Sequence, residues 1–231
     1  MNNLSVAAAL ATSPSSAFAE LRERPRFWFP LLAIALTSAF VIGWYYSVVD
    51  VDWLKEILFG NNPEMQKMPP EQRAQAMAFV GRNTLLFGSM FGVLLGVPIF
   101  CLLFALYFLI AANLTKVALG FKHWFALVCW TALPGLISTV AAVVFMLLRD
   151  SNQIAPGVLQ PLSFNELFFH FPPGARGQTL LEALNIPSIL SWVLSIIGVR
   201  VFSQRSWAYS TIVALIPVAL FYGIWAIIAF R

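Results

Sequence analysis

Residues Thr84–Ala112 read TLLFGSMFGVLLGVPIFCLLFALYFLIAA, a run without an Asp, Glu, Lys or Arg. A helix rises about 1.5 Å per residue and the hydrocarbon core of a bilayer is about 30 Å thick, so about 20 apolar residues cross it. This run is longer than that. It has no polar face to turn towards water, and a helix apolar on every side is at home in lipid, where each backbone group is satisfied within the helix. The run is a membrane span and provides the ruler for the rest of the chain.

By that ruler four further segments qualify: Phe27–Val48, Trp124–Leu148, Ile186–Phe202 and Trp207–Phe230. The fourth span, 186–202, is the shortest and is rich in serine, so it is expected to be tilted or shielded by its neighbours. Only Ser203-Gln204-Arg205-Ser206 separates it from the fifth, which predicts a tight helical hairpin. The whole composition agrees: of 231 residues 60% are hydrophobic and 10% charged, with a mean hydropathy of +0.80. Soluble domains carry roughly 25% charged residues. The expected fold is all-α: an integral membrane bundle of five transmembrane helices. Residues 1–26 form a cytosolic amphipathic lead-in, and 27–231 a single membrane domain.

Charge predicts the orientation. An odd number of spans puts the termini on opposite sides. Segments 1–26, 113–123 and 203–206, with Arg200, share one side, where Arg22, Arg24, Arg26, Lys116, Lys122, Arg200 and Arg205 face only Glu20 and Glu23. The other side holds Lys55, Lys67, Arg73, Arg82, Arg149, Arg176 and Arg231, diluted in longer loops and offset by Asp50, Asp52, Glu56, Glu64, Glu71, Asp150, Glu166 and Glu182. Basic density in short loops marks the cytoplasmic side. The N-terminus is therefore expected in the cytoplasm and the C-terminus across a cytoplasmic (inner) membrane. Arg24, Arg26, Lys116, Lys122, Arg200 and Arg205 are the candidate inner-interface anchors; Lys116 is expected to reach lipid phosphates, and Asn113 to cap the end of span two. No Lys/Arg run points to nucleic acid.

Outside the spans the pattern is amphipathic. Ser13-Pro14 is a helix start, followed by Phe18 and Leu21 on one face, which predicts a short helix on the membrane surface. Ala17-Phe18-Ala19 looks like a signal-peptidase site, but no Lys or Arg precedes the apolar stretch Leu4–Ala11, so cleavage is not expected. In the first far loop, Trp53, Leu54, Ile57 and Leu58 recur at helical spacing. After Pro69-Pro70, a helical stretch carrying Ala74, Met77, Ala78 and Gly81 is expected to run on into span two. In the second loop Ser163-Phe-Asn-Glu166 and Thr179-Leu-Leu-Glu182 match the capping-box pattern.

Within the spans the candidate features are structural. Gly88, Gly92 and Gly96 share one helix face and form a groove that admits a second helix, from this chain or from a partner. Pro98, Pro134 and Pro217 interrupt spans two, three and five. They kink a helix, or open a cavity where Ser138 and Thr139 re-satisfy freed carbonyls. Ser188, Ser191, Ser195 and Gly198 make a small, weakly polar stripe suited to helix packing. Cys101 and Cys129 lie in apolar runs without metal or disulfide spacing and read as buried small hydrophobes. His123 and His170 are too isolated for a metal site. No cofactor motif, nucleophile–base pair or metal-binding pattern occurs. Spans one, two, three and five, and span four before Arg200, carry no Asp, Glu, Lys or Arg, which argues against ion-coupled carriers and pumps.

Three stretches together resemble the Yip family of five-span membrane proteins (Ypt/Rab-interacting proteins), in its bacterial branch. They are Ser13-Pro14 … Ala17-Phe18 … Leu21 … Arg24-Pro25 … Phe29-Pro30-Leu31-Leu32, then Gly120-Phe121-Lys122-His123-Trp124-Phe125 … Trp130-Thr131-Ala132-Leu133-Pro134, then Ile186-Pro187-Ser188 … Trp192. The resemblance implies a cytosolic N-terminus, a five-helix bundle and a scaffold or adaptor role rather than an enzyme. Eukaryotic members contact Rab GTPases in vesicle traffic; the long N-terminal segment and acidic-aromatic signature that go with this are not found here. The leading expectation is a non-catalytic membrane scaffold acting through helix contacts with itself or other membrane proteins, with membrane lipids as its surroundings, no cofactor, no metal and no nucleic acid. The alternative is a carrier or permease for a lipid or uncharged small molecule.

Overall fold

A computed structural model describes residues 1–60 and 67–230. Glu64 and Arg231, counted above among the far-side charges, lie outside the described residues. The order is α1 (Asn3–Thr12), α2 (Pro14–Glu23), α3 (Trp28–Val48), α4 (Val51–Gly60), α5 (Pro70–Phe79), α6 (Arg82–Leu114), α7 (Phe121–Thr131), α8 (Gly135–Leu147), a 3-10 turn (Pro156–Leu159), a π turn (Asn165–Phe169), α9 (Gln178–Ala183), α10 (Ile186–Ser203) and α11 (Trp207–Ala229). Five helical stretches are long and apolar enough to cross a membrane: α3, α6, α7 with α8, α10 and α11. Among the described residues there is no strand, only an isolated bridge between Ser163 and Asn185.

Two cores hold the bundle. The larger lies at the face carrying the N-terminus, the N-terminal face. It joins Phe18 and Leu21 of α2, Cys101, Ala105, Phe108 and Ala112 of α6, Trp124 to Trp130 of α7, and Val199 and Phe202 of α10. Aromatic rings meet edge-on or stacked, Phe18 with Phe202 at 6.3 Å and Phe108 with Trp124 at 5.8 Å; such pairs contribute about 0.5–1.5 kcal/mol beyond their buried area. The smaller core, at the far face, gathers Val41, Tyr45, Val49, Leu54, Ala142, Met146, Ile154 and Val158. There the Tyr45 hydroxyl donates to the Ile154 carbonyl at 2.8 Å, and the Asp50 N–H to the Asn152 carbonyl at 2.9 Å, tying the two far loops together.

The structure departs from the sequence reading in five places. First, the lead-in is two helices and it does not simply lie on the surface. Asn2 caps α1 through a 2.7 Å bond from the Ser5 N–H, and α2 docks into the bundle, burying Ala17, Phe18 and Leu21 completely. The physical reason is a seat shaped for it: Gly198 on α10 leaves room where any Cβ would lie 3.1 Å from Phe18. Second, span three is broken rather than bent. Pro134 has no N–H, and around it Gly135, Leu136 and Ile137 donate to the carbonyls three residues back at 3.0, 2.9 and 2.9 Å, a tighter turn than the α-helix.

Third, α5 stops at Phe79, and Val80-Gly81 separates it from α6. Fourth, the Thr179 box does not form, because Gly177 in the left-handed region (φ 79°) opens α9 and no side chain caps it. The Ser163 box forms in half, Ser163 Oγ accepting from the Glu166 N–H at 3.2 Å. Fifth, no side-chain hydrogen bond from Asn113 caps span two. Thr115 Oγ1 donates instead to the Ala111 carbonyl at 2.7 Å, since its hydroxyl sits one turn beyond that carbonyl.

Candidate functional site

The spans enclose a cavity of about 600 Å³ to which all five contribute. Its two sides differ in chemistry. Spans three and four supply hydroxyls: Thr131, Ser138 and Thr139 from one, Ser188, Ser191 and Ser195 from the other. Spans two and five supply aliphatic and aromatic surface, with Val97, Phe100 and Phe104 against Val218 and Phe221. Among the described residues no Asp, Glu, Lys, Arg or His lines it. At the far end Gln160 and Asn185 add amide groups, and Tyr222 donates to the Ala183 carbonyl at 3.2 Å.

Local sequence explains these positions. The serines of α10 recur every three or four residues and so share a face. Ser191 Oγ donates to the Pro187 carbonyl at 3.0 Å and Ser195 Oγ to Ser191 at 2.9 Å, while Ser188 Oγ donates to Asn185 Oδ1 at 2.8 Å. Thr131 and Thr139 bond their own helices likewise, to Val128 at 3.0 Å and Gly135 at 3.4 Å. Donating inward leaves each oxygen able to accept from whatever fills the cavity. Ser138 differs. It is 6% exposed and its Oγ has no hydrogen-bond partner. A buried hydroxyl left in this state costs about 1–3 kcal/mol.

Three exposed residues line the cavity: Phe100 of span two, Phe221 of span five and, at the far end, Gln160. Phe100 and Phe221 both line it, and each is 49% exposed. The polar ties between these spans lie towards the N-terminal face: Tyr107 donates to the Val213 carbonyl at 2.9 Å, and Thr115 Oγ1 meets the Tyr209 hydroxyl at 2.7 Å.

The other candidate residues fall elsewhere. Gly88, Gly92 and Gly96 are exposed, and among the described residues no atom beyond their own stretch of helix lies within 4 Å of where their Cβ atoms would be. Packing against another span of this chain is therefore not what these glycines do here. At about 100° per residue they sit on the opposite side of α6 from its buried stripe of Cys101, Ala105, Phe108 and Ala112. Pro98, Pro134 and Pro217 are not in the cavity wall themselves, but each adjoins a residue that is: Val97, Gly135 and Val218. Of the basic anchors, Arg26 pairs with Glu20 at 3.0 Å while its carbonyl accepts from Trp130 Nε1 at 2.6 Å. Arg205 reaches the Thr115 carbonyl at 2.7 Å, and Arg200 lies over the Trp207 ring at 5.9 Å. Arg24, Lys116 and Lys122 are exposed at the N-terminal face. Cys101 and Cys129 are free and buried.

Among the described residues no group of three His, Cys, Asp or Glu is placed to hold a metal. Sequence reasoning singled out Ser138 and the α10 serines but missed Ser38, Thr131, Gln160 and Tyr222 as cavity residues. Single hydroxyls in apolar runs carry no periodic signal, and only the three-dimensional arrangement groups them.

No curated protein and no solved structure matches the chain. The Yip1 domain model matches residues 8–228, from within α1 almost to the end of span five. That match, over a five-span all-α bundle, makes the chain a multi-pass membrane protein of the Yip1 domain family.

Proposed function

We propose that this protein is a non-catalytic scaffold of the cytoplasmic membrane, assembling with itself or with other membrane proteins through span two. The observation that carries the reading is the outward glycine face. Among the described residues, nothing beyond their own stretch of helix lies within 4 Å of the Cβ positions of Gly88, Gly92 and Gly96. Phe87, Phe91 and Leu95 stand beside them, more than half exposed. Three glycines on successive turns let a second helix approach to backbone distance, and close packing is a main source of helix association in lipid. A ridge of large side chains beside such a groove favours an interlocking partner over bulk lipid. Family membership is consistent with a role without catalysis.

The orientation belongs to the same proposal: N-terminus in the cytoplasm, C-terminus outside, with Arg24, Arg26, Lys116, Lys122, Arg200 and Arg205 at the inner interface. Purification in mild detergent followed by native mass spectrometry tests the assembly. A complex that Gly92→Leu or Gly88→Leu dissolves supports the reading; complexes of unchanged size in both variants refute it. A reporter fused after Arg231 is expected to read outside.

A further inference from the structure

The scaffold reading uses the outer surface of span two and leaves the interior cavity without a task. The cavity is large enough for a ligand, which typically takes about 300–1,000 Å³. It is amphipathic: spans three and four supply six of its hydroxyls, and spans two and five supply mostly hydrocarbon, with Ser38 of span one and Tyr222 of span five as further hydroxyls. Among the described residues no Asp, Glu, Lys, Arg or His lines it, so no charged side chain is there to neutralise a buried charge. Phe100 of span two and Phe221 of span five line it and are each half exposed on apolar spans, so it has a flank towards acyl chains. One hydroxyl that lines it, Ser138 Oγ, is buried and unpartnered while the neighbouring hydroxyls bond their own helices.

We propose that this cavity is a binding site for an uncharged membrane lipid bearing a free hydroxyl or an ester, of the diacylglycerol type. The hydrocarbon enters between spans two and five and lies along Phe100, Phe104 and Val218. The polar group meets the serine-bearing side, where Ser138 gains the hydrogen bond it lacks and Ser191 and Ser195 accept. Charge selects the ligand: a phosphate-bearing headgroup would have to leave water with no cation to meet it, whereas a hydroxyl or ester finds partners in kind. The site stands independently of the scaffold proposal, because it involves neither Gly88, Gly92 nor Gly96.

The test uses the full-length protein in phosphatidylcholine nanodiscs doped with a photoactivatable diacylglycerol, with photoactivatable phosphatidylglycerol in a parallel sample. Diacylglycerol labelling is expected to map to the peptides carrying Ser138 and Ser191. Ser138→Ala is expected to reduce that labelling about fivefold, the worth of one hydrogen bond. Filling the site with Ser138→Leu is expected to reduce it at least about tenfold. Labelling of the outward face near Gly92 serves as the internal standard and should not change.

A second readout separates binding from a structural role. In detergent without lipid, Ser138→Ala should melt no lower than the wild type, since it removes an unpaired hydroxyl. On adding diacylglycerol its melting temperature should rise less than that of the wild type. If Ser138→Leu does not fold, Ser138→Ala alone decides. Cavity labelling that survives Ser138→Ala, phosphatidylglycerol labelling of the same peptides to the same extent, or label found only on the outward surface would each overturn the proposal.

Discussion

Gly198 on span four and Gly92 on span two are the same residue in apolar helices of one bundle, and they do opposite things. Around Gly198 a Cβ would lie 3.1 Å from both Leu127 and Phe18, so its absence is what seats α2 in the bundle. Around the Cβ position of Gly92 no described residue outside its own stretch of helix comes within 4 Å. Glycine in a span therefore marks a place where close approach is permitted. Whether the approach is made inside the chain depends on which face the glycine occupies. Gly198 shares a face with the buried Phe202, whereas Gly92 lies across the helix from Ala105.

The contrast predicts unequal costs. The largest effect is expected from Phe18→Ala, which empties the seat beside Gly198; Phe18 is fully buried, and such truncations cost about 3–5 kcal/mol. Limited proteolysis should then cut residues 1–26 readily while the spans stay protected. Gly198→Ala closes the seat from the other side and should cost about 1–3 kcal/mol by overpacking, seen as a lower melting temperature in detergent. Gly92→Ala should leave the isolated chain within about 0.5 kcal/mol of the wild type or slightly more stable, since nothing is displaced and helix propensity improves. If Gly198→Ala and Gly92→Ala destabilise equally, the distinction between the two faces is wrong.

The smallest expected effect is at the far face, where burial holds the Glu182 carboxyl above the usual carboxylate range and Glu166 adds like charge. A raised folded-state pKa costs nothing while the group is protonated in both states, and the penalty grows as pH rises through the titration. The far face should thus be relatively more stable in mild acid. Glu182→Gln should flatten that dependence, read as hydrogen exchange of residues 178–183 against pH.

Most of the bundle was legible because lipid imposes a simple ruler. Span four was expected over 186–202 and runs Ile186–Ser203; span five was expected over 207–230 and runs Trp207–Ala229. Rotation about the helix axis was not legible. Span two carries two stripes of mostly small residues on opposite sides, one through Gly92 and one through Ala105. Both look suited to packing, and nothing in a uniformly apolar helix says which one has a neighbour. The cavity was legible only in part: the Pro134-Gly135 break with Ser138 and Thr139 pointed to it, whereas the serine spacing on span four read as a helix-packing stripe. Its apolar side drew on residues indistinguishable from any lipid-facing Phe or Val.

The docking of the lead-in also sets an order of events during synthesis. Phe18 leaves the ribosome early, but its seat is built from Gly198 and Phe202. At about 5–20 residues per second those arrive roughly ten to forty seconds later. Trp130, which fastens the Arg26 carbonyl, arrives in between. Through that interval Phe18 and Leu21 lack the span-four side of their seat, and the protein surfaces open to them are α1 and, once made, α7. The docked position of α2 thus becomes available only once span four has been made.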